Sequence, residues 1–110
     1  MPLFLERHDL DARSTVDLAE LLVAEDEALR RHGAIAHKHW IDEKAGAVHC
    51  LITAPAEDVL LAVQVETGFA AEPPAELFAP LERWLAYDTI DDALGADRRS
   101  PRPPERSARR

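Results

Sequence analysis

The sequence predicts an α+β domain built on one antiparallel sheet. Three observations carry that prediction. Segments of alternating polarity are interleaved with segments of helical periodicity, glycines close the helical segments, and a polar turn, 42–46, joins two of the alternating ones. A chain of 110 residues suits a single domain, and a 46% hydrophobic content is enough for one modest core.

The elements follow in order. Pro2 to His8 alternates Leu3 and Leu5 with Phe4 and Glu6, which predicts a strand. Ser14 is a good N-cap, with Asp17 placed where an acid faces the helix dipole. Val16, Leu18, Ala19, Leu22, Ala28 and Leu29 then recur at helical spacing up to Arg31-His32, and Gly33 stops the helix. Ala34 to Ile41 is a second strand, and Ala47 to Ala54 folds back on it as a third. Pro55 opens a second helix with Glu57 and Asp58 at its positive end. Its inner side carries Val59, Leu60, Val63 and Thr67, and Gly68 ends it. Ala75 to Ala79 is a short edge strand, hemmed in by prolines. A third helix is expected from Pro80 to Gly95, with Leu77, Leu81, Trp84 and Leu85 on one stripe.

Strand, helix, strand, strand, helix, strand is the order of the ferredoxin-like βαββαβ arrangement, in which two helices cover one face of the sheet. The sequence therefore divides into a ferredoxin-like α+β domain at 1–80, an added amphipathic helix at 81–95, and a disordered basic Arg/Pro tail at 96–110. The other sheet face is expected to be open. The C-terminal helix is expected to bury its stripe on a second subunit, because the loop before it is too short to bring it back.

Charge is unevenly spread. Six arginines against Asp97 and Glu105 give residues 96–110 a net +4, leaving −12 on residues 1–95 out of −8 overall. An acidic body repels nucleic acid, apart from weak tail contacts. The lone Cys50 cannot form an internal disulfide. The N-terminal residues do not read as a signal peptide, no apolar run reaches the ~18 residues of a membrane span, and a cytoplasmic location without membrane attachment is expected.

One cluster could carry chemistry. His37 and His39 lie two apart on one strand and so should share a face, while His49 and Cys50 point to opposite faces of the next. If Ile41 pairs with Val48, His39 meets Cys50. If Ile41 pairs with Ala47, His39 meets His49. The first register is favoured because it groups Ile35, His37, His39 and Ile41 with Val48, Cys50 and Ile52. Imidazole and thiolate donors suit nickel, zinc or copper better than magnesium or calcium. The bland reading is a half-wet sheet edge and a small core cysteine. His8 ends the first strand beside Arg7, and His32 reads as a helix-end cation. There is no P-loop, GxGxxG, GxSxG or HExxH. Cys50 with His39 lacks a third group to orient the base. The acidic runs Asp91-Asp92 and Glu25-Asp26-Glu27 read as solvated helix surface.

Arg7-His8-Asp9, His32-Gly33, Trp40-Ile41-Asp42-Glu43 and Cys50-Leu51-Ile52-Thr53-Ala54-Pro55, in this order and spacing, resemble a family of small bacterial ferredoxin-like domains described as nickel-binding proteins. The resemblance covers residues 2–80. It implies a homodimer and a divalent-metal site, with His8 and Cys50 at matching positions. The family often carries a histidine where this chain has Leu22, and a His-x-x-x-His-Gly helix ending where this chain has Val63, Thr67 and Gly68. His37 and His39 lie outside its pattern.

The resulting expectation is a non-enzymatic domain binding nickel or another divalent transition metal through His8, His37, His39 and Cys50. The alternatives are a metal-free oligomerisation or interaction module and, on fold analogy alone, a dimeric α+β-barrel enzyme acting on a small molecule.

Overall fold

A computed structural model describes residues 1–10 and 15–99, and shows a small α+β domain with a four-stranded antiparallel sheet. The elements are β1 (Leu3–Asp9), α1 (Thr15–Arg31), β2 (Ile35–Asp42), β3 (Ala47–Thr53), α2 (Glu57–Thr67), β4 (Ala75–Leu77), α3 (Leu81–Leu85) and α4 (Ile90–Arg99). The sheet order β2-β3-β1-β4 is ferredoxin-like, with β3 and β1 central and β2 and β4 at the edges. The N-cap expected at Ser14 and the tail from 100 onward lie outside the described residues.

Local chemistry sets the boundaries. After α1, Gly33 has φ 79°, Ala34 N–H donates to the Leu29 carbonyl at 2.8 Å, and Gly33 N–H donates to that of Arg30 at 3.1 Å. This paired closure needs a left-handed residue, which glycine adopts without steric cost. In the hairpin turn the Asp42 carboxylate accepts from Ala45 N–H at 3.1 Å, so Asp42 pairs with Ala47 and Ile41 with Val48. The favoured register is the one found, and His39 lies directly opposite Cys50.

Two cores flank the sheet. The first, under α1 and α2, gathers Phe4, Val48, Cys50 and Ile52 from the strands with Leu18, Ala28, Leu29, Leu60, Val63 and Phe69. The second, on the opposite face, gathers Leu3, Trp40 and Leu51 with Trp84, Ile90 and Ala93.

The second core corrects two expectations. That face is not open, and the C-terminal segment packs on its own sheet rather than being held out for a second subunit. The segment is also not one helix ending at Gly95. It is two, broken at 86–89, with α4 continuing through Gly95 to Arg99. The break has two causes. The Tyr87 carbonyl is taken by Lys38 Nζ at 2.6 Å and Trp40 Nε1 at 3.0 Å, so it cannot serve a continuing helix. Thr89 Oγ1 then accepts from Asp92 N–H at 3.1 Å and starts α4 afresh, with Asp91 and Asp92 at its positive end. The short loop is no obstacle, because α3 follows β4 directly and its Leu81 and Trp84 pack with Leu3, Trp40 and Leu51 of the same sheet.

Trp84 is 3% exposed and fills the middle of the second core. Trp84→Ala is expected to cost about 3–5 kcal/mol, read as a lower urea midpoint. A loss below about 1 kcal/mol would mean that α3 does not hold the sheet.

Candidate metal centre

β1 places Phe4, Glu6 and His8 on one face because strand residues alternate, and that face meets α1 and α2. Glu6 and His8 are thus carried into the core, at 1% and 0% exposure. Glu25 arrives from α1 on the same stripe as Leu18, Leu22 and Leu29 and is 1% exposed. Cys50 comes from β3, paired between Glu6 and His39, and is fully buried. One donor atom each from His8, Glu25 and Cys50 lie within 4.8 Å of one another.

His8 is held on every side. Its Nδ1 lies 2.9 Å from the Ala70 carbonyl, which only accepts, so Nδ1 carries a proton. Its ring stacks on Phe69 with centroids 3.7 Å apart and planes within 8°. Its Nε2 faces two carboxylates, Glu6 Oε1 at 3.1 Å and Glu25 Oε2 at 2.9 Å. A bare nitrogen lone pair aimed at two carboxylate oxygens is repulsive. The position calls for a proton or a metal cation.

Without a metal the proton takes that place. Burial alone would lower the His8 pKa, but hydrogen bonds to Glu25 and Glu6, with their charge, raise it to about 10. The two acids then divide. Burial would raise Glu6, yet His8 and the Gln64 amide, which donates to Oε2 at 2.7 Å, hold it below its ordinary value. Glu25 Oε1 is buried with no hydrogen-bond partner among the described residues. Burial and the charge of Glu6 raise Glu25, despite the His8 bond. Burial, then the charges of Glu25 and Glu6, pushes the Cys50 thiol well above its usual range. The metal-free site is thus a protonated His8 held between Glu6 and Glu25, beside a protonated Cys50 thiol.

The residues named from sequence separate here. His8 and Cys50 come together. His39 reaches Cys50, with Nδ1 3.0 Å from Sγ, but stands outside the converging trio. Burial lowers its pKa and keeps the ring neutral. His37 is corrected. A β-bulge between Ala36 and Lys38 breaks the alternation, and His37 Nε2 bonds Thr53 Oγ1 at 3.0 Å, away from the site. The same bulge takes Ile35 out of the grouping with Ile41. His49, opposite Arg7 and Trp40, lies on the other face, and His32 Nε2 meets Glu66 Oε1 at 3.1 Å.

Glu6 and Glu25 join the site from outside the sequence candidates. Both carried a signal. Glu6 falls between Phe4 and His8 on a two-residue period, and Glu25 falls on the buried α1 stripe, so neither belongs to a solvated run.

No protein-family model matches the chain, and no curated protein matches it by sequence. Among solved structures, the crystal structure of SCO4226 from Streptomyces coelicolor A3(2) is similar, with a TM-score of 0.64 and 18% identity over 71% of this chain and 98% of that one. At that identity the likeness establishes a shared fold. Among the described residues no helix is long and apolar enough to cross a membrane. The class defined by fold and site is a ferredoxin-like α+β domain with a buried His-Glu-Cys cluster able to hold a metal ion.

The pH dependence follows from the charges. A folded His8 pKa of about 10 against an ordinary 6.5 means that its stabilisation is complete below pH 6.5 and is lost as pH rises through 10. Glu25 and Cys50, both raised, add losses of the same sign. Glu6, lowered, acts oppositely and matters only on the acid side. Metal-free protein should therefore show a falling urea midpoint across that alkaline window. A flat profile would show that His8 carries no second proton.

Proposed function

We propose that this protein is a small non-enzymatic domain that binds one divalent transition-metal ion through His8, Glu25 and Cys50. The observation that supports it is the convergence of two carboxylates on one imidazole nitrogen, with Glu25 Oε1 left partnerless beside a thiol. A cation at that point would satisfy the orphaned oxygen and replace the protons on His8 Nε2 and Cys50. The Ala70 carbonyl already fixes the tautomer that leaves Nε2 for a metal, the usual arrangement behind a histidine ligand. Glu6, anchored by Gln64, supplies further negative charge next to the ion.

Nitrogen, sulfur and carboxylate donors together favour nickel, zinc, copper or cobalt over calcium or magnesium. The resemblance to nickel-binding domains favours nickel among these. The reading is non-enzymatic because all three donors are buried, which leaves no room for a substrate at the ion. Holding or sensing the metal fits such a site better than catalysis.

Elemental analysis of protein purified without a His-tag is expected to find about one equivalent of a transition metal, in keeping with the single set of three donors among the described residues. Cys50→Ser and Glu25→Gln should each weaken binding by more than the 10–100-fold, roughly, that losing an outer-shell partner costs. Free metal at ~100 times Kd should stabilise the wild type by about 2.7 kcal/mol. Metal-free protein with no thermal shift on adding nickel, zinc or cobalt would leave the cluster as a purely structural polar network.

A further inference from the structure

The trio is sealed, and an ion must pass the protein to reach it. Phe69 covers one side of His8, and Gln64 closes the Glu6 side. The apolar core of Phe4, Val48, Ile52 and Leu60 surrounds the rest. One neighbour of the trio differs. His39 is half-buried and lies on β2, an edge strand with no partner on its outer side among the described residues. Its Nδ1 is 3.0 Å from Cys50 Sγ. Asp26, next in the chain to Glu25, has a side chain 31% exposed, pairs with the exposed Arg30 guanidinium at 3.1 Å, and acts on His39 through its charge.

These residues form a graded series. Asp26 and His39 stand towards solvent, Cys50 lies directly behind His39, and Glu25 and His8 lie beyond Cys50. Each is of a type that binds transition metals, and from His39 inward each sits next to the following one.

We propose that His39 is the entry ligand of the metal site. It takes a divalent transition-metal ion at the open edge of the sheet, aided by the negative charge of Asp26, and passes it through Cys50 to the buried trio. The proposal rests on the reading of His8, Glu25 and Cys50 as the resident site and adds the route by which that site fills and empties. Transfer proceeds by ligand exchange, with no change in oxidation state. A new donor bonds before an old one leaves, so the ion is never stripped of ligands inside the core, where a bare charge is strongly disfavoured.

A port differs from a resident ligand in its kinetics. It changes uptake and release by the same factor and leaves the equilibrium unchanged. The test is stopped-flow uptake of Co(II) by full-length metal-free protein, and its removal by excess chelator, followed through the thiolate-to-cobalt absorption band. His39→Ala and His39→Leu are both expected to slow uptake and release by about tenfold, with Kd within about threefold of wild type and an unchanged final spectrum. Asp26→Asn should slow uptake by a smaller factor.

Unchanged rates in both His39 variants would overturn the proposal. So would faster exchange in His39→Ala with slower exchange in His39→Leu, which would make His39 a steric plug. Weakened affinity with an altered spectrum would make it a resident ligand instead. Wild-type protein that takes up no Co(II) would remove the metal-site reading itself, whereas loading at rates indifferent to His39 removes only the port.

Discussion

The His8 imidazole is tied by Nδ1 to the Ala70 carbonyl and by Nε2 to Glu6 and Glu25, and it has no exposure to solvent. Five parts of the chain meet around it. β1 brings His8 and Glu6, α1 brings Glu25, β3 brings Cys50, α2 brings Gln64, and the loop after α2 brings Phe69 and Ala70. Removing one partner of a buried charged pair typically costs about 3–5 kcal/mol, because the other is left uncompensated. A domain of this size has little more than that to spare. The helical layer is therefore positioned by a polar contact as much as by its apolar stripe, and the placement of the helices is inseparable from the geometry of the site.

The two sheet faces divide the work. The face under α1 and α2 carries the titratable cluster, sealed by apolar neighbours that strengthen every charge inside it. The face under α3 and α4 is apolar at its centre, with Trp40, Leu51 and Trp84 interlocked. Without that cover, Leu3, Leu51 and Trp40 would face water. A single four-stranded sheet thus gains a second core, which matters for a chain short of large side chains, with aromatics at only 5%.

Much of this was legible in the residues. Gly33 and Gly68 close helices as their left-handed conformations require, with φ of 79° and 70°, and the short turn from Asp42 leaves two registers, of which the one that groups the apolar residues sets His39 opposite Cys50, as found. The bulge at His37 did not follow, since an extra residue in a strand leaves no mark when the segment stays mixed in polarity. Glu25 could have been found, because its spacing from Leu18 and Leu29 sets it among buried neighbours. Its place in an acidic run hid it. The divided C-terminal helix was marked by Thr89 followed by Asp91 and Asp92. The apolar stripe running through Leu81, Trp84 and Leu85 masks that start signal.

The anchoring of Tyr87 reaches beyond local capping. The chain leaves β4 at one edge of the sheet, and its Tyr87 carbonyl is gripped by Lys38 and Trp40 of β2 at the other. The segment between them runs across all four strands like a strap buckled at the far side. Tension applied at the C-terminus would reach the buckle before the sheet. The strap would peel away first and bare the apolar face, while the hydrogen-bonded strands and the cluster beneath α1 and α2 stayed in place. Mechanically, the domain is a two-layer body with a separable cover, and the cover shares no side chain with the site.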